Sequence, residues 1–213
     1  MYASVVTEEA DGVLVITLNR PEVRNSVDAA TAQAAAAAFE RLDAQPHLRV
    51  AILTGAGGNF CSGMDLKAFV RGESPRVEPR GFIGLNEHTF AKPIIAAVEG
   101  YALAGGLEAA LACDLVVASR SARFGIPEVK RGLAATSGGL YRLPRKIPMN
   151  VAMEMALTGE PITGERAAQL GLVNRITVPR EALAEAGRLA AQIAANGPLA
   201  VAASKAVVLR QQD

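Results

Sequence analysis

Two short runs, VAILTG (50–55) and PIIAAVEG (93–100), are almost wholly apolar, end in glycine, and lead through a glycine-rich loop toward a helix. A strand that is apolar on both sides must be covered on both faces. Strands that alternate with helices in this way pair in parallel. With DLVVAS (114–119) as a further strand, the pattern predicts an α/β fold built around a parallel sheet. Ahead of it, SVVTEEADGVLVITLN alternates and is rich in β-branched residues; Asp11-Gly12 is a hairpin signal, so strands are expected over 2–8 and 13–19. Asp28 or Ser26 caps a helix running to about Ala44. A short helical turn is expected at Leu66–Val70, then a mobile, polar surface loop, RGESPRVEPRG (71–81), then a helix near 81–90 that stops before Lys92-Pro93.

From Ser137 onward the chain reads as helical, with one short strand, VNRITV (173–178). Thr163 starts one helix, and Pro179 opens another at its first position. Asn196-Gly197 closes that helix, and Pro198 opens the last, which runs through Gln212. The organisation is an α/β core over 1–135 followed by a helical region over 136–213.

Composition removes several function classes. The chain has 213 residues, a net charge of +1, 4% aromatics and no Trp. That balance points away from nucleic acid and from an anionic membrane surface. Two cysteines, Cys61 and Cys113, are too few for a disulfide scaffold; no basic leader opens the sequence and no run of about 18 apolar residues interrupts it. A cytoplasmic, reduced protein is expected. No His, Cys and Asp cluster has metal-ligand spacing, so no metal is expected either.

Two loops carry the chemistry, NFCSGMDLK (59–67) and GYALAGGLE (100–108), each following a buried strand. Loops at the carboxyl ends of parallel strands line the ligand crevice of an α/β fold. Side by side, they would aim two backbone N–H groups at one developing negative charge, an oxyanion hole. Gly105 and Glu108 are three apart and share a face of one helical turn. A second carboxylate, Glu128, follows Pro127 on a stiff loop. Cys61, with no His near it in sequence, reads as a packing residue, and Arg71, Arg76 and Arg80 read either as phosphate contacts or as a solvated loop.

These segments resemble the crotonase, or enoyl-CoA hydratase/isomerase, superfamily. The likeness is carried by LNRPEVRNS (18–26), FCSGMDL (60–66), KPIIAAVEGYALAGGLEAALACDLVVAS (92–119), FGIPEVKRGL (124–133) and ALTGEPITGERAAQLGLVNRI (156–176), in this order and spacing. The resemblance implies a crotonase-like fold of repeated ββα turns with a C-terminal helical region. It also implies an acyl-coenzyme A thioester as substrate, with coenzyme A part of that substrate and no separate cofactor. The oxyanion donors fall on the N–H groups of Met64 and Gly105. Met64, Asp65, Leu66 and Lys67 would lie along the bound CoA, and the two acid-base glutamates fall on Glu108 and Glu128.

What the resemblance implies is an enoyl-CoA hydratase, a hydro-lyase that adds water across a 2,3-double bond. The alternatives are an enoyl-CoA isomerase, another acyl-CoA dehydratase, or a non-catalytic acyl-CoA-binding protein. The carboxylate pair favours hydration, because an isomerase often manages with one. Family members assemble as homotrimers or hexamers and usually continue with further C-terminal helices. This sequence ends at Asp213, so either the natural protein is short or that tail is absent from this sequence; in the second case the resemblance implies that a neighbouring subunit completes the site and leaves trimer formation open.

Overall fold

A computed structural model describes residues 3–210; Tyr2 of the expected first strand, and Gln211 and Gln212 of the expected last helix, lie outside the described residues. The N-terminal hairpin is present: β1 (Val5–Ala10) pairs antiparallel with β2 (Val13–Leu18). Its turn takes left-handed backbone at both Asp11 (φ 50°) and Gly12 (φ 78°), the geometry that follows strand twist. In α1 (Ala29–Ala44) the cap is Asp28, whose carboxylate accepts the Thr31 N–H at 2.8 Å. After β3 (Val50–Gly55) comes the short α2 (Leu66–Val70), capped by Asp65. Arg20 joins the two caps, lying 3.2 Å from Asp28 and 3.0 Å from Asp65.

Residues 71–90 depart from expectation. The polar segment is a small hairpin, β4 (Arg76–Val77) against β5 (Gly81–Phe82), pinned by a double contact of Arg76 with Glu87 at 2.7 and 2.9 Å. The helix expected near 81–90 is absent; that stretch is a chain of turns. Gly81, Ile83 and Gly84 all have positive φ, which no right-handed helix accommodates. A side chain at Gly84 would sit 2.5 Å from the Ala36 Cβ, so this segment is pressed against α1 by its turns.

The chain then repeats one unit. It runs β6 (Ile94–Val98), β7 (Tyr101–Leu103), α3 (Gly105–Ala112), and again β8 (Leu115–Ser119), β9 (Arg123–Gly125), a 3-10 turn over Pro127–Arg131, α4 (Gly139–Lys146) and α5 (Met149–Thr158). These are the expected ββα turns. In each, the longer strand enters a six-stranded sheet and the shorter one enters a second sheet. With β10 (Ile162–Thr163), α6 (Gly164–Gln169) and β11 (Arg175–Thr177) added, the large sheet has the order β1-β2-β3-β6-β8-β11 and the small one β10-β9-β7. From β2 to β11 the large sheet is parallel.

Strand β3 is buried on both sides. Ala51 and Leu53 face the main core with Phe39, Phe60 and Leu107. Val50 and Ile52 face a second cluster closed by Ala186 and Ala190 of α7 (Ala182–Ala194). Thr163 caps α6 as expected, accepting the Arg166 N–H at 3.0 Å. Pro179 does not open α7: Arg180 adopts φ 73° and breaks the chain, and the helix begins only after Glu181, with the Ala182 N–H donated to Glu99 at 3.0 Å. Pro198 opens α8 (Pro198–Leu209), which bends 108° away from α7. Among the described residues no single helix is long and apolar enough to cross a membrane.

Candidate active site

Three segments run parallel in the small sheet and its margin. Cys61 bridges to Ala102 of β7, and Leu103 of β7 lies beside Gly125 of β9. Their carboxyl ends therefore emerge together. The first delivers Met64, the second Gly105 and the third Glu128. This register brings three stretches far apart in sequence to one edge.

The first two ends touch. A side chain at Gly63 would lie 2.7 Å from the Ala104 Cβ and 3.1 Å from the Gly105 nitrogen, and one at Gly106 would lie 2.2 Å from the Cys61 carbonyl oxygen. Only bare backbone fits between the two loops. Ala104, with φ 52° and ψ −129°, turns β7 directly into α3. A non-glycine residue in that region costs about 1–3 kcal/mol and persists only where its surroundings hold it; here its N–H is fixed on the Gly125 carbonyl at 2.9 Å. Neither the Met64 nor the Gly105 N–H donates to a protein acceptor among the described residues. Both amides are thus free for a ligand, one of them at the start of a helix whose dipole favours negative charge.

Glu108 sits in the first turn of α3 and is 3% exposed. One carboxylate oxygen, Oε1, accepts two backbone N–H groups, from Ser137 at 2.8 Å and Gly139 at 2.9 Å. Burial pushes its pKa up; those two N–H groups and the nearby Arg142 pull the other way without cancelling the shift. Glu128 follows Pro127 in the 3-10 turn, and its buried Oε2 has no hydrogen-bond partner among the described residues. Its pKa is raised to about 7, by burial first and also by the negative charge of Glu108. The structure thus brings the two glutamates within electrostatic reach, with unequal environments. Both shifts run upward, yet one carboxylate is held by two backbone N–H groups of a neighbouring loop and the other keeps a buried oxygen unpartnered; groups so differently held suit different acid-base roles.

The raised pKa of Glu128 has a stability signature. The folded state binds its proton more tightly than the unfolded chain, so stability is greatest below the ordinary Glu range and falls as pH rises through about 7. Glu128→Gln removes that dependence. The Tm of the variant minus that of the parent is expected to grow between about pH 4.5 and 7 and to level off above. Paired calorimetric scans across that range check this; a difference that stays flat contradicts the buried, proton-holding state of Glu128.

The other sequence-derived residues divide. Asp65 is occupied as a helix cap, accepting from Lys67 and Ala68 at 3.0 and 3.2 Å and pairing with Arg20; Leu66 and Lys67 are exposed on α2 beside it. Cys61 is fully buried, its thiol pushed up to about 12 by burial, consistent with a packing residue. Arg71, Arg76 and Arg80 are each paired with a glutamate, Glu73, Glu87 and Glu40 in turn. Sequence reasoning placed Ser137 only in a stretch, Leu133–Ser137, expected to shape the acyl pocket, and it missed the bonds of Ser137 and Gly139 to Glu108, the nearby Arg142, and Asn86 behind the Ser137 carbonyl. The only hint was the Ser-Gly-Gly run (137–139), a glycine pair ahead of a helix. A groove lined by Leu111, Tyr141, Lys146, Val201 and Lys205 opens at the far end of α3 and contains neither glutamate.

A sequence profile described as enoyl-CoA hydratase/isomerase matches residues 8–213. The chain belongs to this enoyl-CoA hydratase/isomerase family. Among family members, a carnitinyl-CoA dehydratase of Salmonella arizonae is 46% identical over 205 residues, covering 94% of this chain and 78% of that protein. An enoyl-CoA hydratase structure from Mycobacterium tuberculosis H37Rv superposes with a TM-score of 0.97 at 55% identity, covering 99% of this chain and 83% of the other. One from Mycobacterium marinum gives 0.96 at 58% identity, again covering 99% and 83%. The fold of this enoyl-CoA hydratase/isomerase family member is therefore shared with its relatives over nearly its whole described length.

Proposed function

We propose that this chain is a hydro-lyase acting on acyl-CoA thioesters, adding water to a 2-enoyl-CoA to give a 3-hydroxyacyl-CoA and catalysing the reverse dehydration. The observation that carries this reading is the unequal carboxylate pair beside two unpartnered amides on abutting loops. The N–H groups of Met64 and Gly105 receive the thioester oxygen. Enolate charge grows there as water attacks the β-carbon, so the donors stabilise the transition state more than the substrate. Glu108, with two N–H groups favouring its carboxylate, takes a proton from the attacking water. Glu128, protonated up to about pH 7, gives one to the α-carbon. A proton passed from Glu108 to Glu128 restores the starting state. No metal and no redox step enters this scheme.

Dehydration of a more elaborate 3-hydroxyacyl-CoA is the second reading, favoured by the 46% identity to a protein named carnitinyl-CoA dehydratase. Both readings use one assay. Purified protein is mixed with crotonyl-CoA, with longer 2-enoyl-CoAs and with carnitinyl-CoA. The enone absorbance falls in the first two cases if hydration is the activity and rises in the third if the elaborate substrate is preferred. No change with any of them, while CoA esters still bind, leaves a non-catalytic acyl-CoA-binding protein.

A further inference from the structure

We infer that Asn86 and Arg142 are positioning residues that clamp the Ser137–Gly138 peptide, so that the N–H groups on either side of it grip one oxygen of Glu108. The inference rests on the acid-base role proposed above for Glu108 and adds what holds that group in place. Asn86 is fully buried, and its Nδ2 donates to the Ser137 carbonyl at 2.8 Å. Arg142, one turn into α4, donates to the Asn86 carbonyl at 2.5 Å and to the Ser137 carbonyl at 3.5 Å. Two side chains thus close on one peptide carbonyl, and Arg142 ties the backbone of Asn86 to the same place. On the two sides of that peptide lie the N–H groups of Ser137 and Gly139, both bonded to Glu108 Oε1.

The backbone between them leaves no slack. Gly138 has φ 110°, which swings the two flanking N–H groups onto one acceptor. A side chain at Gly138 would meet the Arg142 guanidinium at 1.9 Å, and one at Gly139 would meet Glu108 Oε1 at 3.1 Å. The clamp also has a fixed base, because the turns that carry Asn86 are pressed on α1 at Gly84. It is needed because the loop itself is poorly anchored: of residues 131–136 only Ala135 is buried. With Oε1 held by two donors, Oε2, which takes no protein partner among the described residues, is the oxygen left to face a water molecule. The charged groups that face Glu108 are Arg142 from α4 and Glu128 from the 3-10 turn.

The test compares Asn86→Ala and Arg142→Lys, which keeps the positive charge near Glu108 but loses the guanidinium fork, with the parent, alone and combined with Glu108→Gln. Asn86→Ala is expected to lower kcat for crotonyl-CoA hydration by up to about 10²-fold, as misplacement of a reacting group does. KM is expected to stay within about two-fold, because ground-state binding does not pass through Glu108. In the Glu108→Gln background the same change is expected to cost less than about two-fold, since residues acting through one group are non-additive. A substrate-free readout runs alongside: the Glu108 carboxyl, followed by ¹³C NMR, titrates at higher pH in both single variants once its N–H donors loosen. Equal losses in both backgrounds, or an unmoved titration, overturn the clamp. A parent that hydrates no enoyl-CoA defeats the acid-base reading, while the titration still decides the clamp. Should Asn86→Ala fail to fold, Arg142→Lys, which alters a half-buried side chain on a helix face and leaves its charge in place, carries both measurements.

Discussion

Glu128→Gln is expected to lower kcat for 2-enoyl-CoA hydration by about 10²–10⁴-fold, the range in which positioned general acids and bases contribute. Glutamine keeps the shape and one amide oxygen of the side chain but cannot deliver the proton that the α-carbon needs. The loss is expected in kcat, with KM little changed, because the carboxylic acid acts on the reacting atoms and not on the nucleotide end of the thioester. Glu108→Gln is expected to lose a similar factor, since the amide cannot take a proton from water. Its Oε1 can still receive the Ser137 and Gly139 N–H groups, so the surrounding backbone stays in place. The double variant is expected to be scarcely slower than either single one, because the two groups serve one proton circuit. Steady-state kinetics with crotonyl-CoA decide the matter. A turnover within a few-fold of the parent for either variant removes that glutamate from the chemistry.

The second large effect is expected at a residue with no functional atom. Gly63→Ala places a methyl 2.7 Å from the Ala104 Cβ and 3.1 Å from the Gly105 nitrogen, at a position with φ 93°. Neither neighbour is the flexible end of a side chain, so the loops must part. The Met64 and Gly105 N–H groups then no longer converge, and a lost oxyanion donor costs about 10²–10³-fold in kcat. The matched control is Gly187→Ala on α7, where a methyl meets nothing within 4 Å. There alanine is expected to keep full turnover and to raise stability by about 1 kcal/mol, as it does in helix interiors. Circular dichroism and kcat for both variants separate a displaced donor from a general loss of structure. Full turnover in folded Gly63→Ala refutes convergence of the two amides.

The large features of the fold were legible because they rest on local signals. The hairpin at Asp11-Gly12, the doubly buried β3, and the caps at Asp28 and Thr163 each have a side chain or dihedral requirement visible in the sequence. The residues placed at the site, Met64, Gly105, Glu108 and Glu128, were legible for two reasons. The loops follow apolar strands, and the ordered segments resemble a known family. The misread stretch was 81–90. Its apolar residues Phe82, Ile83, Leu85 and Phe90 are buried, so the hydrophobic signal was real; the backbone that buries them is a run of turns with left-handed residues at Gly81, Ile83 and Gly84, which hydrophobic spacing does not report. The groups around Glu108 were illegible for another reason. Ser137 and Gly139 contribute backbone N–H groups, which every non-proline residue owns, and they lie 29 and 31 residues from the carboxylate they bind. Asn86 reaches the same place from 51 residues away. Only the register of the sheets places such contacts.

The helix that carries Glu108 is hemmed in along its length, with Gly105 through Leu111 all buried. One added carbon on Gly106 already collides with the Cys61 carbonyl, and one on Gly105 with the Phe82 ring. A helix so tightly fitted has no room to be rewritten. Any engineering of the acyl group this protein accepts must therefore be done in the loops around α3, with the helix kept as an invariant insert.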